Sequence, residues 1–517
     1  MPNRLISLFS LRLSQFRAAP WKDLAIRWAL GVLVLILALF NFMRDLNDPA
    51  KAFWDESYYV TAAQRYEEHT AQYASHPPLG FMLMVTGRAI LNDNKNIDAH
   101  EVSLVKKIDT RNITKGYSFA GIRLMGALFG VAGAVLFYLI CLTLTREAFS
   151  AFIFSLLYVF ENAFIVHFRA AHLDPFQITF ALAGILVWLR AFGDPKHDGL
   201  KSVALFGVLI GLSFMVKVNT LVLLVLPGLT VLRDMLRAGN TLPKVVGNGL
   251  IKGGVMIASF AAVVVTVFAL HTLINPKAPD FASESGRRDK AYMSDAYVGW
   301  LEGREPLSAT IMLDATKGYY AYMKYDFTGI VKTEKNGSQP VAWPVMSKII
   351  NYRWDSGGGK TSYVQMVGNI LSWTLGLLAL GGAAILLVLR VSRPRPWLET
   401  REMDMMAAVF AMYVIFMGLH IWLGTQRVMY IYHYFTGLIL SFMLLPLIWQ
   451  VLTARFAGLE RQKDYILGGL CVSIALSFLW LSPLTYHYPL TRSACEAKNV
   501  PFKIVVCQPM LKKPVKS

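Results

Sequence analysis

Apolar runs constrain this chain more than any motif does. A long stretch without charge, placed in lipid, is stable only if its backbone polar groups bond to one another within the segment, which selects helices. WALGVLVLILALFNFM (28–43) is the first such run. Others are expected near 119–143, 148–164, 175–191, 203–216, 218–232, 253–273, 364–389, 405–423, 428–452 and 465–483. With 55% hydrophobic and 16% charged residues over 517 positions, the chain is far too apolar for a soluble domain of its size. The expected fold is an all-α polytopic membrane protein with about eleven transmembrane helices.

The basic leader carries Arg4, Arg12, Arg17, Lys22 and Arg27, and no small-residue cleavage site follows the first run, so an uncleaved anchor is expected. The runs on either side of Lys217 are short, and reading them as one helix would invert every later segment. Loop charges favour a hairpin. It puts Arg233, Arg237, Lys244 and Lys252 on the same cytoplasmic side as Arg390, Arg393, Arg395 and Arg401, as Arg455, Arg461 and Lys463, and as the leader. The net charge of +18 then needs no nucleic acid, because loops facing anionic lipid account for much of it. Odd parity puts the tail outside despite Arg492, Lys498, Lys503, Lys512, Lys513 and Lys516. An outside location would let Cys495 and Cys507 form a disulfide, while Cys141 and Cys471 lie in apolar runs and read as core.

This divides the chain into a seven-span module (1–273, with a first outside loop at 45–118), an outside loop or cap (274–363), a four-span module (364–483) and an outside tail (484–517). GGGK (357–360) reads as a flexible turn in the cap.

The polar residues that composition disfavours converge on the outer face. They are Asp55, Glu56 and His76 in the first loop, Arg123 at the start of the second span, and Glu161, Asn162, Arg169, His172 and Asp174 around the third-to-fourth turn. Lys217, Arg427 and Tyr432-His433-Tyr434 complete the set. Singly, each reads as an interfacial anchor or a structural histidine. Jointly, acids, histidines and bases mix outside while the inside is simply basic, which marks an outward-facing site. A transporter would place such groups near mid-membrane in Gly/Pro-broken spans, with related halves. No HxxxH or similar metal-ligand spacing stands out.

Several of these stretches carry a family resemblance. Asp55-Glu56, HPPLG (76–80), Arg123 in GIRLMGALFG, ENAFIVHFRAAHLDPF (161–176), Lys217 in GLSFMVKVN, WP (343–344), GN (368–369) and YHY (432–434) resemble, in order, the protein O-mannosyltransferases. The resemblance implies a GT-C glycosyltransferase that takes sugar from a polyprenyl-phosphate donor and uses a first-loop acid; no cofactor beyond that co-substrate is expected, with a divalent metal as the open alternative. It implies as partners the lipid-linked sugar, an exported acceptor protein and the bilayer. About 90 residues between the modules cannot hold the β-trefoil of eukaryotic members, so the resemblance is to a bacterial one, in the inner membrane with its site on the extracytoplasmic face. Phe81 stands where the family often has Lys. The related aminoarabinose transferases, which act on a lipid acceptor, share the architecture without this combination of motifs and are the alternative.

In this reading Asp55 is the general base that a weakly nucleophilic Ser or Thr hydroxyl needs, and Glu56 orients Asp55 or the acceptor. His76, Arg123, Glu161, Arg169, Asp174, Lys217, Arg427, Tyr432 and His433 bind donor or acceptor, with Arg123, Arg169, Lys217 and Arg427 as the cations available to the leaving phosphate. Prolines 77 and 78 are expected to lock an extended backbone. Glu161, Asn162 and Arg169 share one side if the third span continues through its turn, and Glu161 and Arg169 could equally form an ion pair. Direct displacement would invert the anomeric centre.

Overall fold

The computed structural model describes residues 20–109, 113–236, 241–329, 334–393, 395–499 and 504–507. Arg4, Arg12, Arg17, Arg237, Lys503, Lys512, Lys513 and Lys516 lie outside them. Among the described residues nine helices are long and apolar enough to cross a membrane, and the bent pair Ala148–Val159 and Asn162–Phe168 would make a tenth. The expected count of eleven is reached only if Leu200–Phe214 also crosses. At 15 residues that helix is about 23 Å long, short of a hydrocarbon core of about 30 Å.

Side-chain contacts resolve the segment around Lys217 as a hairpin. Ser213 Oγ donates to the Gln177 carbonyl at 2.7 Å and meets Thr220 Oγ1 at 2.9 Å, while Trp188 Nε1 donates to Thr230 Oγ1 at 3.0 Å. Residues 213 and 220 therefore flank the same level of the Asp174–Gly193 helix, and the chain then runs back along it. Its first turns, Val218–Val225, are a tight 3₁₀ stretch that continues as Leu226–Leu236. Gly207 lets Leu200–Phe214 lie directly on Leu242–Ile274, since a Cβ there would stand 2.5 Å from the Met256 carbonyl.

Two expectations about local structure are corrected. The third span does not continue through its turn: it breaks after Val159, and Asn162–Phe168 departs at 58°. HPPLG is not extended. Pro78 has φ −75° and ψ −21° and starts the helix Leu79–Leu91, because a proline has no N–H to lose in a first turn. The first outside loop also contains Glu56–Glu67 and the short helix His100–Leu104.

The polar stretch after Ile274 folds as three helices, Glu284–Lys290, Asp295–Leu301 and Ala309–Gly329. These cover the first loop. Tyr319 hydroxyl donates to the His76 carbonyl at 2.7 Å, and Tyr73 packs edge-on against Tyr319. Beyond them comes a small antiparallel sheet that the sequence did not lead us to expect: β1 (Ile350–Gly357), β2 (Lys360–Met366) and β3 (Pro489–Leu490), in the order β1-β2-β3. GGGK forms a tight turn in which Gly358 and Gly359 take φ of 57° and 77°, a region that costs L-residues energy but not glycine. Cys495 and Cys507 form a disulfide, and the tail it closes lies along β2, where Gln365 exchanges hydrogen bonds with the Val506 backbone.

Candidate active site

Asp55 stands at the start of Glu56–Glu67, where an aspartate ordinarily accepts a hydrogen bond from the exposed helix amides. Here it caps nothing, and among the described residues its carboxylate has no hydrogen bond or ion pair. Glu56 instead takes the donors. Its two oxygens accept from Arg123 Nε at 2.7 Å, Arg123 Nη2 at 2.8 Å, Ala171 N at 2.7 Å and Phe53 N at 3.1 Å. Trp54, just before Asp55, has φ 53°, an uncommon conformation for a bulky residue and one held by its surroundings. The strained corner turns Asp55 away from its own helix.

Arg123 departs from its expected place on the donor phosphate. A guanidinium has five N–H donors. Those of Arg123 go to both oxygens of Glu56 and to the carbonyls of Leu46, Pro49 and Lys51, all within 3.0 Å. It is fully buried and braces the Leu46–Glu56 loop. Arg169 is likewise engaged with the backbone carbonyls of Arg44 and Asp45. It does not pair with Glu161, whose carboxylate accepts from Ala163 N, Asn369 N and Trp373 Nε1. Glu161 thus ties the broken third span to the start of Ile370–Ser392, and the GN motif supplies the cap there through Asn369. Asn162 donates to Thr485 Oγ1 at 2.8 Å and also belongs to this junction.

Beneath Asp55 lies a buried polar cluster. Asp174 Oδ2 accepts from Lys217 Nζ at 2.7 Å and stands 2.8 Å from His167 Nε2. The other nitrogen of His167 lies 2.6 Å from the Tyr352 hydroxyl, and its ring stacks on Tyr432 at 5.0 Å. Lys217 also sits 5.3 Å from the Tyr432 ring centre, and Trp54 packs at 5.3 Å on Tyr352. Sequence reasoning missed Tyr352 and Trp54. Tyr352 carries no local signal, since it arrives from a strand far along the chain; His167 lies within the quoted ENAFIVHFRAAHLDPF stretch.

A cavity of about 340 Å³ opens beside this cluster, lined by His76, Lys217, Lys324, Phe327, Arg427 and His433 among others. Arg427 lies 4.4 Å from the Phe327 ring; among the described residues no carboxylate comes within 4 Å of it, although Asp326 lines the same cavity. His433 Nδ1 lies 3.1 Å from the backbone N–H of Tyr430 and 3.0 Å from its carbonyl, which fixes the ring against the turn before the helix Phe435–Arg455. Burial and the nearby Lys217 charge push His76 down to about 3, so it is neutral at physiological pH. Burial raises Asp55 to about 6, and Lys217 is the strongest charge acting on it in the opposite direction. Among the described residues no three His, Cys, Asp or Glu side chains are arranged to hold a metal.

The site is therefore a half-buried carboxyl without partners, poised near neutrality, next to a cavity in which the three cations Lys217, Lys324 and Arg427 outnumber the one carboxylate, Asp326. Such a place favours an anionic group in the cavity and can take a proton from a hydroxyl beside Asp55.

Comparisons with known proteins agree with this architecture. A family described as "Dolichyl-phosphate-mannose-protein mannosyltransferase" matches residues 32–283, and the "C-terminal four TMM region of protein-O-mannosyltransferase" matches 321–501. Protein O-mannosyl-transferase 2 of Danio rerio is 22% identical over 267 residues, covering 50% of this chain and 34% of the relative. Protein O-mannosyl-transferase 1 of the same organism is 27% identical over 169 residues, covering 31% and 23%. The chain thus spans about a third or less of the curated relatives it matches. The structure of the S. cerevisiae protein O-mannosyltransferase Pmt1-Pmt2 complex bound to the sugar donor superposes with a TM-score of 0.74 at 12% identity, over 95% of this chain and 93% of that one. The fold is that of a GT-C membrane glycosyltransferase. With both halves of the spanning region matched, the chain belongs to the dolichyl-phosphate-mannose-protein mannosyltransferase family.

Proposed function

We propose that this protein transfers mannose from a polyprenyl-phosphate donor to Ser or Thr hydroxyls of exported proteins, at the extracytoplasmic face of a bacterial inner membrane. The observation that carries the reading is the pairing of a partnerless Asp55 with the cation-lined cavity beside Lys217. The acceptor oxygen attacks the anomeric carbon and the bond from that carbon to the phosphate oxygen breaks. The hydroxyl proton passes to Asp55, and polyprenyl phosphate leaves. One displacement inverts the anomeric configuration. Arg427 and Lys217, with exposed Lys324 at the rim, hold the phosphate. Glu56 and Arg123 act as positioning residues by bracing the loop that carries Asp55.

Purified protein incubated with radiolabelled polyprenyl-phosphate mannose and a Thr-containing peptide should yield mannosyl peptide. Label appearing only in a lipid acceptor, or not at all, would reject the reading.

A further inference from the structure

The β1–β2 hairpin has two edges, and among the described residues only that of β2 is covered. β2 is flanked by β3, at Thr361–Leu490 and Ser362–Pro489, and by the disulfide-closed tail at Gln365. The outer edge of β1 has no strand partner among the described residues, and within them Asn351–Gly357 makes no backbone-to-backbone hydrogen bond outside the β1–β2 ladder.

The direction of its free groups is set by the turn. A two-residue hairpin makes its flanking residues, Gly357 and Lys360, a hydrogen-bonded pair, and pairing alternates from there. Arg353 and Asp355 therefore bond to β2, while Trp354 and Ser356 turn their N–H and C=O groups outward. This half of the strand is open, with Trp354 47% exposed.

The same strand enters the candidate site. The register slips between Asn351 and Arg353, which makes Tyr352 the bulged residue, and bulges re-aim side chains. Tyr352 reaches His167, Trp54 and Phe53. Lys51, four residues before Asp55, meets Asp355 at 3.3 Å. The open edge and the carboxyl are thus linked through one bulge and one short loop. Asn351, next to the bulge, buries both amide atoms without a hydrogen-bond partner among the described residues.

From this juxtaposition of an unpaired β1 edge with the Asp55 loop, we infer that the acceptor docks as an extended segment that adds a strand to β1, placing its Ser or Thr at Asp55. Natural sheets normally blunt an open edge with a proline, a bulge that twists it away or a covering element. Here the bulge sits at the end nearest the site, and the outer half has no covering strand among the described residues. Strand addition takes affinity from main-chain groups, so it accepts many sequences while requiring an unfolded, extended acceptor. The inference rests on the reading of the protein as a transferase to proteins.

The test uses wild-type protein and short peptides bearing one threonine, each N-methylated at a single backbone position. Methylation at alternate positions should raise the peptide KM about 3- to 10-fold per lost hydrogen bond, with kcat little changed, and methylation at the positions between should not. Ser356→Pro removes one outward N–H, which a proline on an edge strand can do without breaking the ladder, and should raise the peptide KM by a similar factor. Transfer with no alternation along the peptide overturns strand addition and leaves the transferase reading standing, even if Ser356→Pro is unstable. Absence of transfer to every peptide, with transfer to lipid, overturns both.

Discussion

Replacing Asp55 with Asn should abolish most turnover and at the same time stabilise the protein. The carboxyl has no partner, and burial raises it from 3.8 to about 6. That displacement corresponds to about 3 kcal/mol against the ionised form. Because the side chain is only partly buried, screening by water reduces the expected gain to about 1 to 3 kcal/mol. The sign is set by proton linkage. Folded Asp55 holds its proton more tightly than the unfolded chain does, so its contribution is present below about 4 and lost as pH rises through about 6. Asn has no such loss. The variant should therefore unfold later than the wild type at pH 7.5 and together with it below about pH 4. Turnover should fall at least about 100-fold with donor binding retained, since shape survives and basicity does not. Thermal unfolding in detergent at the two pH values, with single-turnover transfer at pH 7.5, measures both effects. Wild-type turnover would return Asp55 to an ordinary loop residue. Lost turnover with unchanged stability at pH 7.5 would show that the carboxyl is not raised.

Other perturbations separate the cations and the topology. Wild-type kcat/KM should rise with pH and level off above about 6, and this step should vanish in the residual activity of Asp55→Asn, as pH–rate profiles would show. Arg427→Gln should weaken donor use about 10- to 150-fold in a donor titration, with stability within about 0.5 kcal/mol because no carboxylate partner is orphaned. Arg123→Ala leaves Glu56 buried without its cation, held only by the Ala171 and Phe53 amides, and should cost about 3 to 5 kcal/mol, read as a large loss of thermal stability; Arg123→Lys should not rescue it, because an ammonium cannot reach the same five acceptors. Alkaline phosphatase fused after Ser517 should be active, and activity after residue 240 instead would refute the Lys217 hairpin.

Sequence alone established that this chain belongs in lipid and where most of its long helices lie. Hydropathy is a local property, and lipid accepts only helices whose backbone bonds are internal, so most of the spanning helices and the Lys217 hairpin were legible in runs and loop charges. It also brought Asp55, His76, Lys217, Arg427 and His433 to one end of the bundle, and tertiary structure then chose among them. A charge has the same letter whether it meets a substrate or a carbonyl, and its partner is fixed by packing between distant segments. Arg123 and Arg169 went to loop carbonyls, and Glu161 to a helix start 208 residues away. HPPLG began a helix because Pro78 takes its conformation from the apolar residues 79–91, which pack as a helix, and the third span broke where Glu161 found new donors. Tyr352 and the open edge of β1 could not be read at all, since strand pairing and a one-residue bulge leave no periodic trace in so short a segment.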